Sequence, residues 1–179
     1  DRIRVACDIS ECNLSITKPN LILEAEQGKK ITWKCPPGAP PGSKLLMIQG
    51  TPGVRIRGFS FDGENQTESL IVLYGKCPGI VLEDLTLKNT KQYGVFVTNC
   101  EGSSEHPILF QRITFDKPPF EGLRKIVERL AYPIHHDHIM SAGEQSHRQF
   151  TSKTTTSDNN DFHITSLSII NQRRKALHL

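Results

Sequence analysis

A ten-residue phrase recurs four times in this 179-residue chain, and that repetition limits the fold more than any other feature. The copies are VRIRGFSFDG (Val54 to Gly63), IVLEDLTLKN (Ile80 to Asn89), ILFQRITFDK (Ile108 to Lys117) and FHITSLSIIN (Phe162 to Asn171). Positions one, three, six and eight are large and apolar in each. They are Val54, Ile56, Phe59 and Phe61, then Ile80, Leu82, Leu85 and Leu87, then Ile108, Phe110, Ile113 and Phe115, and last Phe162, Ile164, Leu167 and Ile169. Among the residues between them only Val81 and Leu109 are apolar.

Apolar residues two apart share one face of a strand, and the three-residue step inside each copy breaks that alternation. The phrase therefore predicts two short strands joined by a sharp corner. Successive copies start 26, 28 and 54 residues apart, and the last interval predicts a degenerate copy hidden between Lys117 and Asp161. A strand-bearing unit of this period belongs to a solenoid, in which no single repeat buries its apolar face alone. Leucine-rich repeats need a leucine-dominated phrase with a fixed Asn or Cys, which these copies lack. The expected fold is all-β: a right-handed parallel β-helix of 26–28 residues per turn, each strand stacking on its equivalent about 4.8 Å away. Leu45–Ile48, Leu70–Leu73 and Val95–Val97 supply a third strand per turn. Thr51-Pro52-Gly53, Cys77-Pro78-Gly79 and His106-Pro107 mark the corners.

Residues 1–179 are read as a single domain excised from a longer protein, with an irregular insertion over 118–161. Within it Leu123, Ile126, Val127 and Leu130 predict one amphipathic helix over 120–132, and Ser141 to Asp161 reads as a polar loop. The net charge is +3 with both signs interleaved, which gives no electrostatic case for nucleic acid. No run approaches the 18 apolar residues of a membrane span, so no membrane contact is expected within these residues. The five cysteines (Cys7, Cys12, Cys35, Cys77, Cys100) lack zinc-type spacing and are read as thiols, with Cys7 and Cys12 the pair an oxidising compartment would join. Trp33, the single tryptophan, falls at strand periodicity and is read as structural.

In a β-helix, chemistry arises from ladders of equivalent outward positions rather than from a linear motif. The fourth position gives Arg57, Glu83, Gln111 and Thr165; the fifth gives Gly58, Asp84, Arg112 and Ser166; the ninth gives Asp62, Lys88, Asp116 and Ile170. Arg57 over Glu83 and Asp84 beside Arg112 are expected inter-turn ion pairs, the usual finish of a solvated sheet face. A polysaccharide lyase or hydrolase would instead draw on Asp62, Asp84, Asp116 and Arg112, with calcium only in the lyase case. His135, His136, Asp137 and His138 form the densest set of ligand-type groups, although a strand would put only His136 and His138 on one face. Neither a cofactor nor a resident metal is expected.

Three stretches carry a resemblance: KCPGIVLEDLTLKNTKQYGVFVTNCEG (Lys76 to Gly102), ITKPNLILEAEQGKKITW (Ile16 to Trp33) and GTPGVRIRGFSFDGEN (Gly50 to Asn65). They resemble the pectate-lyase-like β-helix regions downstream of the kinase domain in certain bacterial serine/threonine protein kinases. The likeness covers about residues 1–117 and rests on structural motifs: a CPG corner, the apolar phrase, and a Gly-x-x-x-x-Asn-Cys turn from Gly94 to Cys100. It implies a non-catalytic, extracytoplasmic (periplasmic or cell-surface) binding or sensor domain tethered to the rest of its parent. No kinase residue carries over, because the glycine-rich phosphate loop, the HRD loop and the DFG are missing from the sequence. The expected ligand is a glycan or a protein, met by Arg57, Glu83, Gln111, His135, His136 and His138. The competing class is a polysaccharide-active enzyme or a carbohydrate-binding module.

Overall fold

A computed structural model describes residues 1–103, 105–116, 146–156 and 162–173. The first turn contains β1 (Arg2–Val5), β2 (Ile9–Ser10) and β3 (Leu14–Ile16), and the second β4 (Ile22–Ala25), β5 (Ile31–Lys34) and β6 (Lys44–Gln49). The third contains β7 (Arg55–Arg57), β8 (Phe59–Asp62) and β9 (Ser69–Lys76). In the fourth, β10 (Val81–Lys88) runs across two faces and β11 (Tyr93–Glu101) forms the third; β12 (Ile108–Asp116) follows. β13 (Ser146–Thr156) and β14 (Phe162–Arg173) complete the described strands.

Every strand from β1 to β12 pairs in parallel with its equivalent in the adjoining turn, giving a parallel β-solenoid of about four turns. Register turns the repeated phrase into interior ladders. Leu23 stacks on Ile56, Leu82 and Phe110, while Trp33 stacks on Phe61, Leu87 and Phe115. All twelve phrase-defining residues of the first three copies are buried. Burial of each such side chain is worth about 1.5–3 kcal/mol against the unfolded chain. Trp33 closes the N-terminal part of the ladder: its ring lies 5.4 Å from Phe61 and its Nε1 donates to the Glu11 carbonyl at 3.0 Å. It is a core residue, as its periodicity predicts.

The corner inside the phrase is a single left-handed residue at position five: Gly58 (φ 81°), Asp84 (φ 53°) and Arg112 (φ 51°). One residue in this conformation absorbs the odd step and returns the following apolar residue to the interior. Only Gly58 adopts it without a Cβ penalty.

The fourth copy departs from expectation. β14 pairs with β12 in the antiparallel sense, setting Ile108 opposite Ile169, Phe110 opposite Leu167, Ile113 opposite Ile164 and Phe115 opposite Phe162. Positions one, three, six and eight map onto eight, six, three and one when the phrase is reversed, so the same apolar pattern fits either direction. Ser146–Thr156, read from the sequence as part of a polar loop, is strand β13 and pairs antiparallel with β14. The predicted helix over 120–132, most of the stretch holding the predicted hidden copy, and the His135–His138 cluster lie outside the described residues.

Candidate functional site

The second turn is itself a copy of the phrase with an insertion at its corner. Leu21 and Leu23 take the first two apolar positions, Ile31 and Trp33 the last two, and Glu26 to Lys30 are added after the fifth position. The turns above it turn this corner with one residue, Gly58 or Asp84, so the insertion overhangs them and walls a groove of about 390 Å³. Arg4, Glu24, Gln27, Lys29, Arg57 and Asp84 supply its polar groups.

Glu24 is the hub of this groove. Its register partners are Arg4 below and Arg57 above, and its side chain is only 3 % exposed. Burying a carboxylate is costly unless it is paired. Arg57 Nε donates to Oε2 at 2.9 Å, Arg4 Nε donates to Oε1 at 3.2 Å, and Arg2 Nε lies 3.8 Å from Oε1. The Arg57 hydrogen bond, opposed by burial and reinforced by Arg4, holds the Glu24 carboxyl below the usual range. On the insertion, Lys29 pairs with Glu26 at 2.5 Å and donates to the Ala6 carbonyl at 3.4 Å, fastening the overhang to the first turn.

The ladder pairs follow the predicted positions but with one exchange of partners. Arg57 and Glu83 are neighbours in register, yet Arg57 turns to the buried Glu24 and Glu83 is taken by Arg112. Arg112 also holds Asp84, donating from its terminal nitrogen to Oδ2 at 2.9 Å, and this contact depresses the Asp84 pKa. Glu24 was invisible to the ladder reading because the corner insertion hides the second-turn copy. Gln111 stacks on Glu83 and Asp116 on Lys88, both away from the groove walls.

Asp62 ends β8 and fastens the turn that follows, away from the groove. Its Oδ1 accepts from the Glu64 N–H at 3.0 Å and from Asn89 Nδ2 at 2.8 Å, and Lys88 Nζ lies 3.0 Å from Oδ2. Burial pushes its carboxyl up, but these three contacts together hold it below its ordinary 3.8. A depressed folded-state pKa means that the unfolded chain binds the proton more readily, so the contribution is present above pH 4 or so and is lost as pH falls through the folded value. Urea midpoints are therefore expected to fall more steeply between about pH 5 and pH 3 for the native chain than for Asp62→Asn. Parallel curves would show that Asp62 is not held in this way.

Comparison of the chain with protein-family models, with curated proteins and with solved structures finds no match. The fold and the groove together define a parallel β-solenoid with a charged, inwardly paired corner site.

Proposed function

We propose that this chain is a non-catalytic binding or sensor domain that presents its stacked-strand face to a glycan or protein ligand. The observation that carries this reading is the corner groove, whose floor is a buried carboxylate clamped by arginines and whose rim offers half-exposed guanidinium, ammonium and amide groups. Small-ligand sites are concave with a few fixed polar groups, and a hydrogen bond from a charged donor orients a hydroxyl or carboxylate well. The carboxylates Glu24, Asp62 and Asp84 are all shifted toward the ionised form by cations or amides. A general acid needs the opposite shift, which disfavours Asp62 and Asp84 as the acid of a hydrolase. The contacts of Arg112 with Asp84 and Glu83 hold its guanidinium protonated, which disfavours it as the base of a lyase.

The resemblance of residues 1–117 to pectate-lyase-like regions of bacterial serine/threonine protein kinases supports an extracytoplasmic setting within a larger bacterial protein. The ligand would then be met outside the cytoplasm and its occupancy passed to the tethered domains.

The test is an immobilised glycan array probed with the native chain, Gln27→Ala and Arg57→Ala. Retained oligosaccharides are expected to bind each variant at least about tenfold more weakly, the effect of losing one hydrogen bond to a charged or buried partner. Retention unchanged in both variants would remove the groove from the binding surface. Circular dichroism on Arg57→Ala separates lost binding from lost fold.

A further inference from the structure

Two cysteine pairs share one spacing. Cys12 and Cys35 are 23 residues apart, and so are Cys77 and Cys100. Parallel stacking converts that interval into contact. β2 and β5 pair Ser10 with Lys34, so the chain leaving each strand carries Cys12 and Cys35 to the same corner. β9 and β11 pair Lys76 with Glu101, residues that adjoin Cys77 and Cys100. Within each pair the two side chains come within hydrogen-bonding reach of one another. Cys35, Cys77 and Cys100 are buried, Cys12 packs half-buried against the same core, and Cys7 is exposed.

We propose that Cys12–Cys35 and Cys77–Cys100 are two disulfide sites, each fastening one turn of the solenoid to the next. Stacked strands lie about 4.8 Å apart, and a disulfide spans Cα separations of about 4.4–6.8 Å. Cys12 lies one residue out of register with Cys35, and Cys100 sits in the irregular step between Thr98 and Glu101, diagonal to Cys77. The pairing that sequence proximity favours, Cys7 with Cys12, is not the one the stacking brings together.

The chemistry balances with a small-molecule disulfide as oxidant. A cysteine thiolate attacks oxidised glutathione, forming a mixed disulfide and expelling one glutathione thiolate. The partner cysteine, as thiolate, then attacks the protein sulfur and expels the second. Two protein thiols lose two protons and two electrons, and one oxidised glutathione becomes two reduced ones. In the first pair the more exposed Cys12 is the point of entry, while burial pushes the Cys35 thiol up and makes it the resolving partner. In the second pair the Cys100 hydrogen bond, against the opposing effect of burial and with help from the Thr51 and Gly50 N–H groups, lowers the Cys77 thiol to about 6. A thiolate is the reactive form, and oxidant reaches the buried Cys77 only through local opening of the turn. Because Cys77 is fully buried, this pair closes more slowly than the first.

Each bridge closes a loop one turn long, which is expected to raise the melting temperature by about 5–10 °C per bridge. The experiment incubates the reduced 179-residue chain with oxidised glutathione at alkaline pH, blocks remaining thiols with N-ethylmaleimide, and maps tryptic peptides by mass spectrometry without reduction. Linked peptides Cys12–Cys35 and Cys77–Cys100 are expected, with Cys7 carrying glutathione or maleimide, together with a melting gain that reductant reverses. Cys12→Ser and Cys100→Ser should each delete one bridge and its share of the gain. A Cys7–Cys12 bridge overturns the proposal, as does recovery of either pair fully alkylated while Cys7 is modified. Peptide mapping of the native chain decides the matter even if a serine variant fails to fold.

Discussion

Phe61→Ala is expected to lower unfolding stability by about 3–5 kcal/mol, the range for removing a fully buried aromatic ring. Phe61 is completely buried at the centre of the ladder, stacked on Trp33 and paired in register with both Trp33 and Leu87. Turns of a solenoid bury one another, so a cavity here weakens the interfaces on both sides. For a domain of this size the loss corresponds to a fall in melting temperature of roughly 6–20 °C. The matched control is Phe96→Ala: Phe96 is half-buried and stacks on Tyr93 with ring centroids 4.9 Å apart. It should cost about 1 kcal/mol, as expected for an outward ring whose neighbour on the next strand is Val72. Equal losses in urea titrations followed by Trp33 fluorescence would contradict the assignment of inner and outer faces.

Gly63→Ala is expected to cost roughly 2–4 kcal/mol by overpacking. A Cβ on Gly63 would stand 2.3 Å from Thr67 Oγ1, 2.5 Å from the Asn89 carbonyl oxygen and 3.0 Å from Leu70 Cδ2. The carbonyl is fixed backbone: it accepts from the Asn65 N–H at 2.7 Å, while the Gly63 N–H donates to the Lys88 carbonyl. Relief therefore requires two stacked turns to move apart. Gly28→Ala is the informative comparison, since nothing lies within 4 Å of its Cβ position and only its φ of 79° penalises alanine. That left-handed strain is worth about 1–2 kcal/mol. Chemical denaturation of the two variants checks the order, and a Gly28→Ala variant as damaged as Gly63→Ala would disprove close stacking at this turn.

The solenoid was legible wherever the phrase stood uninterrupted. In the copies starting at Val54, Ile80 and Ile108, apolar spacing alone placed the inward residues and the corner between positions three and six. Direction was not legible, because the pattern of positions one, three, six and eight reads the same backwards. The copy at Phe162 thus looked like another parallel turn, whereas β14 lies antiparallel on β12 and covers what would otherwise be an open sheet edge there.

The groove was harder to read for a related reason. Five residues inserted at the second-turn corner separate Leu23 from Ile31, so Glu24 never entered the aligned ladders. Its signal was present as a lone acid between Leu23 and Ala25, with Arg2 and Arg4 one turn earlier. Arg57 paired with Glu24 rather than Glu83 because the more deeply buried carboxylate gains more from a cation. The cysteine stacking could have been found by comparing intervals with the turn length rather than looking for short motifs.

The reading of this chain as a recognition domain is tested most directly by incubating it with uronate-containing and neutral polysaccharides, with and without calcium. Retention and product release are followed in the same samples. Retention without new reducing ends or unsaturated products, and without dependence on calcium, is the predicted result. Turnover of any of these polymers would contradict it and return Asp62, Asp84, Asp116 and Arg112 to consideration as catalytic groups.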